Sequence, residues 1–233
     1  MKRKTYSYQS VKEIIKALDL YSRLLIGQYD EILVNAAFKT KLYKLYQNKE
    51  LYQQIIDTLI HIRKICINEL HARGLNASLG IWHPLTPLQA KRAYDIQQIL
   101  RYQMAYHEHP EGGHTVDFNT PFIHGEWNIY KPTIKTIEYY ASLYDYPDYR
   151  PRGYHFFNWY CPCVIESFND RDEEIVLLRD DKKVDSVIED ALYVKECIDN
   201  LRIADAFHFL YPDKHTEHFE QLLDLIDELI QKI

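Results

Sequence analysis

The residues best equipped for chemistry lie together in AYHEHPEGGHTVDFNTPFIHGEW, residues 105–127, where His107, His109, His114 and His124 sit among Glu108, Glu111, Asp117 and Glu126. Imidazole nitrogens and carboxylate oxygens are ligand types for zinc, iron and manganese. A metal held by the four histidines would activate a water molecule, with Glu108 or Glu111 as general base. The cofactor on that reading is a divalent transition metal such as zinc. The spacing His107-x-His109-x4-His114-x9-His124 contains no H-E-x-x-H and no other pair that one rigid helical face would fix. A satisfied core histidine is the commoner role for His107, and the other three also read as polar loop residues. Gly112 and Gly113 neither follow a strand nor open a helix, so they suit a tight turn better than a phosphate cradle.

A second stretch, YDYPDYRPRGYHFFNWY at 144–160, carries eight aromatic residues in seventeen positions. Tyr144, Tyr146, Tyr149, Tyr154 and Trp159 have the faces to stack a base or to enter a partner's pocket, and Arg150 and Arg152 match a phosphate or a carboxylate. Trp127, at the end of the histidine stretch, adds one more ring. Some of these rings must serve a core, but Pro147, Pro151 and Gly153 interrupt the run and make complete burial difficult. Cys161 and Cys163, with His155 upstream, offer three zinc-type ligands, but their spacing fits neither the paired cysteines of structural zinc sites nor the usual redox motif. Inert cysteines facing an aromatic sheet are the expectation there. No G-x-S-x-G elbow is present.

Helical periodicity supplies the elements that must position these groups. The expected helices span about 10–34, 41–73, 86–107, 133–143, 184–208 and 216–232. Ser10-Val11-Lys12-Glu13 reads as a capping box at the first, and Ile14, Leu18, Tyr21, Leu25, Tyr29 and Ile32 form its buried stripe, with Gly27 as a weak point. The second carries Leu42, Leu45, Tyr52, Ile55, Leu59, Ile62, Cys66 and Leu70 and stops at Gly74. Thr86-Pro87-Leu88-Gln89 signals the third, whose stripe of Ala93, Ile96, Leu100 and Met104 ends on His107. An irregular loop follows over 108–132, long enough to suggest a functional role. Alternation over 154–179 predicts a β-hairpin, with Pro162 marking an edge strand or a bulge. Val184, Val187, Ala191, Val194, Ile198 and Leu201 form one closing stripe, and Phe219, Leu222, Leu223, Ile226, Leu229, Ile230 and Ile233 form the other. The fold class is mainly α: a multi-helix single domain, 1–233, with a small antiparallel β-hairpin inserted before the C-terminal helices.

The totals narrow the function. A net charge of −6 gives no strong nucleic-acid signal. Four cysteines, no signal peptide and no membrane-length apolar run suggest a soluble, reduced, cytoplasmic protein. Twenty tyrosines against seven glycines, with abundant Ile and Lys, is the bias of an AT-rich genome, such as that of a low-GC bacterium or its phage. The leading expectation is a binding protein without catalysis of its own. It would hold a partner protein or a small ligand, a nucleotide among the candidates, through 105–127 and 144–160, as an inhibitor or accessory factor does. The alternative is a metal-dependent hydrolase using the histidine-rich loop 107–124. A homodimer seam along the C-terminal helix is a third expectation.

Overall fold

The computed structural model describes residues 4–35, 48–70, 74–109, 111–118, 164–169, 174–178 and 182–232. The chain is mainly helical, with seven α-helices among the described residues. No helix among them is long and apolar enough to cross a membrane.

The chain divides into two compact units. The first comprises 1–16 and 94–186. In it strand β1 (Lys4–Ser7), an N-terminal strand that the helical pattern did not announce, runs directly into helix α1 (Tyr8–Leu25), of which residues 8–16 belong to this unit. The helix begins earlier than its expected capping box. Ser7 Oγ accepts the Ser10 amide at 3.1 Å, so Ser7 is the cap, and Glu13 turns outward to Lys16 at 2.8 Å. Val11 and Ile14 form the buried side of this end of α1. Strand segments β2 (Val164–Asn169) and β3 (Glu174–Leu178) lie in the same unit, in the order β1–β3–β2. Lys4 stands opposite Leu177 and Ser7 opposite Glu174, with a register shift between Ile165 and Ser167 along β2. Of the hairpin expected over 154–179, residues 154–163, 170–173 and 179 lie outside the described residues, as does the helix expected at 133–143.

The second unit comprises 17–93 and 187–233. Here the first expected helix breaks where the sequence was weakest. After Leu25 the chain turns through Gly27, at φ +97°, and resumes as the short helix α2 (Asp30–Val34). A Cβ on Gly27 would sit 2.5 Å from Leu70 Cδ1, so glycine serves both the backbone angle and a close approach.

Helix α3 (Lys49–Cys66) is capped by the Asn48 side chain, which accepts the Leu51 amide. It ends at Cys66, short of the expected Arg73, and a 3-10 turn at Asn68–Leu70 follows. The cause is Arg63, which lies fully buried and donates to the carbonyls of Gly74 at 2.6 Å and Leu70 at 3.3 Å. These bonds satisfy the backbone of a turn, so the chain can leave the helix with Ile67 and Leu70 buried beneath it. Residues 36–47 lie outside the described residues, and the beginning of the expected second helix with them.

The helix expected over 184–208 is two. Helix α5 (Lys182–Asp199) follows α4 (Leu88–Glu108) in chain order and closes on Leu201, whose φ is +58°. The Arg202 amide reaches the Cys197 carbonyl at 2.8 Å and the Leu201 amide reaches Ile198 at 3.0 Å, the paired bonds of a Schellman ending. Helix α6 (Ile203–Leu210) then starts with help from afar: Asp227 Oδ1 accepts the Ala204 amide at 3.3 Å. Asp227 belongs to helix α7 (Glu217–Gln231), which Thr216 caps by accepting the Phe219 amide. Phe219, Leu222, Leu223, Ile226, Leu229 and Ile230 are all buried, and α7 packs against α3 and α6. The part of the expected dimer seam from Phe219 to Ile230 is therefore covered within its own unit, and Ile233 lies outside the described residues.

Candidate functional site

Helix α4 and the segment after it build the first candidate site. The expected Thr86 cap does different work, since its hydroxyl donates to the Gly80 carbonyl at 2.7 Å and ties down the turn before the helix. Ala93, Ile96, Leu100 and Met104 are buried as their spacing requires. The helix ends at Glu108, and residues 111–118 fold back on its last turns.

Two contacts hold the fold-back. Phe118, half-buried in a short 3-10 turn (Val116–Phe118), meets Tyr106 edge-on at 5.2 Å, and Tyr106 meets Tyr102 at 4.8 Å. Asp117 pairs with Arg101 at 3.0 Å and also accepts the Thr115 hydroxyl at 3.0 Å. Gly113 lies against the Phe118 ring. A Cβ there would collide with the ring, so Gly113 makes room for the Phe118 anchor, while Gly112 supplies a left-handed backbone at φ +81°. Within the segment, the Gly112 amide donates to the His109 carbonyl at 2.9 Å. Held in this way, the tip exposes Glu111, His114, Thr115 and Val116, the last 61% exposed.

The histidines of this stretch take different surroundings. His107 is half-buried with its ring 6.1 Å from that of Tyr8. Lys12 Nζ lies 4.5 Å above that same Tyr8 ring and 2.9 Å from the Glu108 carboxylate, so Glu108 is engaged in an exposed ion pair. His109 Nδ1 lies 3.3 Å from Glu111 Oε1, with both side chains well exposed. His114 is exposed. Among the described residues, His107, His109 and His114 do not form a group of three ligands close enough to share an ion. His124, Trp127, Tyr144, Tyr146, Tyr149, Arg150, Arg152, Tyr154, His155, Trp159, Cys161 and Cys163 lie outside the described residues.

The ligand group that the described residues do form lies in the second unit. His208 near the end of α6, His215 in the connection and Glu220 in the first turns of α7 place one ligand atom each within 4.8 Å of the others. His208 Nε2 is 2.7 Å from Glu220 Oε2, and His215 Nδ1 is 3.1 Å from Glu220 Oε1. Bonds from His215 and then His208 hold the Glu220 carboxyl below its ordinary range. Sequence reasoning missed this group because spacings of seven and five residues across a helix end, a loop and a helix start match no ligand template.

It also missed a buried polar chain in the same unit. The Tyr29 hydroxyl donates to Tyr211 Oη at 2.9 Å, and the Tyr211 hydroxyl donates to the Leu24 carbonyl at 3.0 Å. Burial raises both phenols well above their ordinary range, and it pushes the Cys66 thiol, hydrogen-bonded to Tyr29, up to about 12. These groups read as structural: the two phenols are buried and Cys66 half-buried, and at Cys66 burial outweighs the opposing effect of the Lys214 charge. A third missed feature is the turn carrying Trp82 and Leu85, 59% and 57% exposed.

Comparison with protein-family models, with curated proteins and with solved structures finds no match.

Proposed function

We propose that this chain is a binding protein without catalysis of its own, which holds a partner protein or a small ligand through 105–127 and 144–160. One observation carries the reading: residues 111–118 are anchored on α4 by Phe118 and Asp117 yet present Glu111, His114 and Val116 to solvent. A loop already fixed by its own contacts loses little conformational freedom when a partner arrives, which favours affinity. The same exposure argues for binding over chemistry. The His109–Glu111 pair lies open to water, without the water-excluded setting from which catalytic electrostatics draw their strength.

In this proposal the rings and arginines of 144–160 supply the rest of the surface, Tyr154 and Trp159 on a hairpin over 154–179 and Arg150 and Arg152 in the turn before it. Aromatic anchors and arginine are the residue types that concentrate binding energy in an interface. Purification under native conditions from the cells that make the protein, followed by native mass spectrometry, tests the proposal for either class of occupant. A stoichiometric second component should accompany the wild type and fall away from a Val116→Asp variant. A bare chain in both preparations, or equal retention in the variant, contradicts it.

A further inference from the structure

We infer that His208, His215 and Glu220 form a binding site for one divalent transition-metal ion of the zinc class, which clasps the end of α6 to the first turns of α7. The inference is independent of the loop reading, since it concerns other residues in the other unit.

Three features support it. The donors are two imidazoles and one carboxylate, a set that suits zinc, cobalt or nickel and is a poor match for magnesium or calcium, which favour all-oxygen surroundings. The donors also converge from three different places in the chain, with all three ligand atoms within 4.8 Å of one another. Finally, the framework beneath them is built. Phe219 is fully buried with its ring edge-on to His208 at 6.5 Å, and the connection is pinned by the Lys214 amide on the Tyr211 carbonyl and by the Thr216 cap.

Tetrahedral ligands about 2.1 Å from an ion stand roughly 3.4 Å apart. The two histidine–glutamate separations of 2.7 and 3.1 Å must therefore open slightly to admit one, while the imidazoles draw together. His215, exposed and in the connection, is the ligand free to adjust. In the ion-free arrangement each imidazole donates its N–H to the carboxylate. A bound metal requires each ring to present a lone pair from the nitrogen that faces the carboxylate, with a proton on the other nitrogen. A cation near a helix N-terminus opposes the helix dipole, and the carboxylates of Glu217 and Glu220 in the first turn offset that penalty. Three protein ligands leave one tetrahedral position, which water would fill.

The test uses the full-length, untagged chain, stripped with chelator and titrated with zinc chloride by calorimetry, with thermal denaturation in parallel. The expected result is saturable binding of one ion per chain and a higher Tm at saturation. His215→Ala and Glu220→Gln should each weaken binding at least tenfold, while a His109→Ala/His114→Ala double variant binds as the wild type does. Circular dichroism confirms that each variant is folded, and His215, being exposed, is the substitution least able to disturb the fold. Absence of saturable binding overturns the inference, as does binding that survives both cluster substitutions within twofold. Loss of binding in the His109/His114 variant would also overturn it, by placing the ion at the loop.

Discussion

Replacing Phe118 by alanine should loosen the candidate loop without unfolding the helix beneath it. The ring meets Tyr106 edge-on at 5.2 Å and covers Gly113. An aromatic pair in this geometry contributes about 1 kcal/mol beyond its buried area. Half-burial of a phenyl ring adds roughly another 1 kcal/mol. Losing about 2 kcal/mol raises the population of the open loop roughly thirtyfold. Arg101→Ala removes a bond to Gln98 on its own helix and, toward the loop, a partly exposed ion pair with Asp117, which is screened and costs less than about 1 kcal/mol. Amide hydrogen exchange reads the difference directly. The reporter is the Gly112 amide, which donates to His109 within the segment. Its exchange should accelerate roughly thirtyfold in Phe118→Ala, and by no more than about fivefold in Arg101→Ala, while Ile96 in the middle of α4 keeps its rate. A change at Gly112 below threefold in Phe118→Ala would refute the anchoring argument. An equal acceleration at Ile96 would do the same, because the substitution would then be acting on the whole helix.

Further predictions concern the second unit. Tyr211→Phe deprives the Tyr29 hydroxyl of its acceptor and Leu24 of a donor, although the Gly27 amide still serves that carbonyl. It should cost about 1–3 kcal/mol in urea denaturation, more than Tyr29→Phe, which leaves the Tyr211–Leu24 bond in place; the reverse order would sink the assignment of donor and acceptor. Leu201→Gly relieves a left-handed backbone at φ +58° and should raise stability by about 0.5–1 kcal/mol after the lost side-chain contacts, seen as a higher Tm; a lower one would show that those contacts matter more than the backbone. Cys66, with its thiol pushed up to about 12 from 9.0, should react with iodoacetamide at pH 8 roughly a thousandfold more slowly in the folded protein than in urea, by peptide mass mapping. The rate should climb as pH rises toward that value, and rapid labelling of folded protein at pH 8 would contradict the buried polar chain.

Much of the helical framework was legible because burial imposes a period. The stripe from Phe219 to Ile230 and that from Ala93 to Met104 are both buried, and both follow from counting in threes and fours. What the period cannot show is where a helix stops when the stopping residue is unusual. Gly27 carries its warning in its type, whereas Leu201 adopts the left-handed angle that glycine normally supplies. Arg63 ended α3 at Cys66 by reaching carbonyls seven and eleven residues ahead, and an arginine on a helix reads as surface. The cap of α6 comes from Asp227, 23 residues downstream, beyond any local signal.

The site divides in the same way. That a polar, glycine-broken segment follows α4 was visible in its residue types. That Phe118 and Asp117 would grip Tyr106 and Arg101 depends on the chain folding back, which no spacing specifies. The histidines drew attention to the loop by their number, but ligand convergence is a property of space. Among the described residues it arises at His208, His215 and Glu220, where the sequence offers no cluster to the eye.

The most direct test of the proposed function places a photoreactive amino acid at Val116 in the full-length chain and, as a control, at exposed Lys64 on α3. Irradiation in the cells that make the protein should give a crosslinked species of defined mass from position 116 and none from position 64. The absence of a defined adduct at 116, or the same adducts from both positions, would contradict the account.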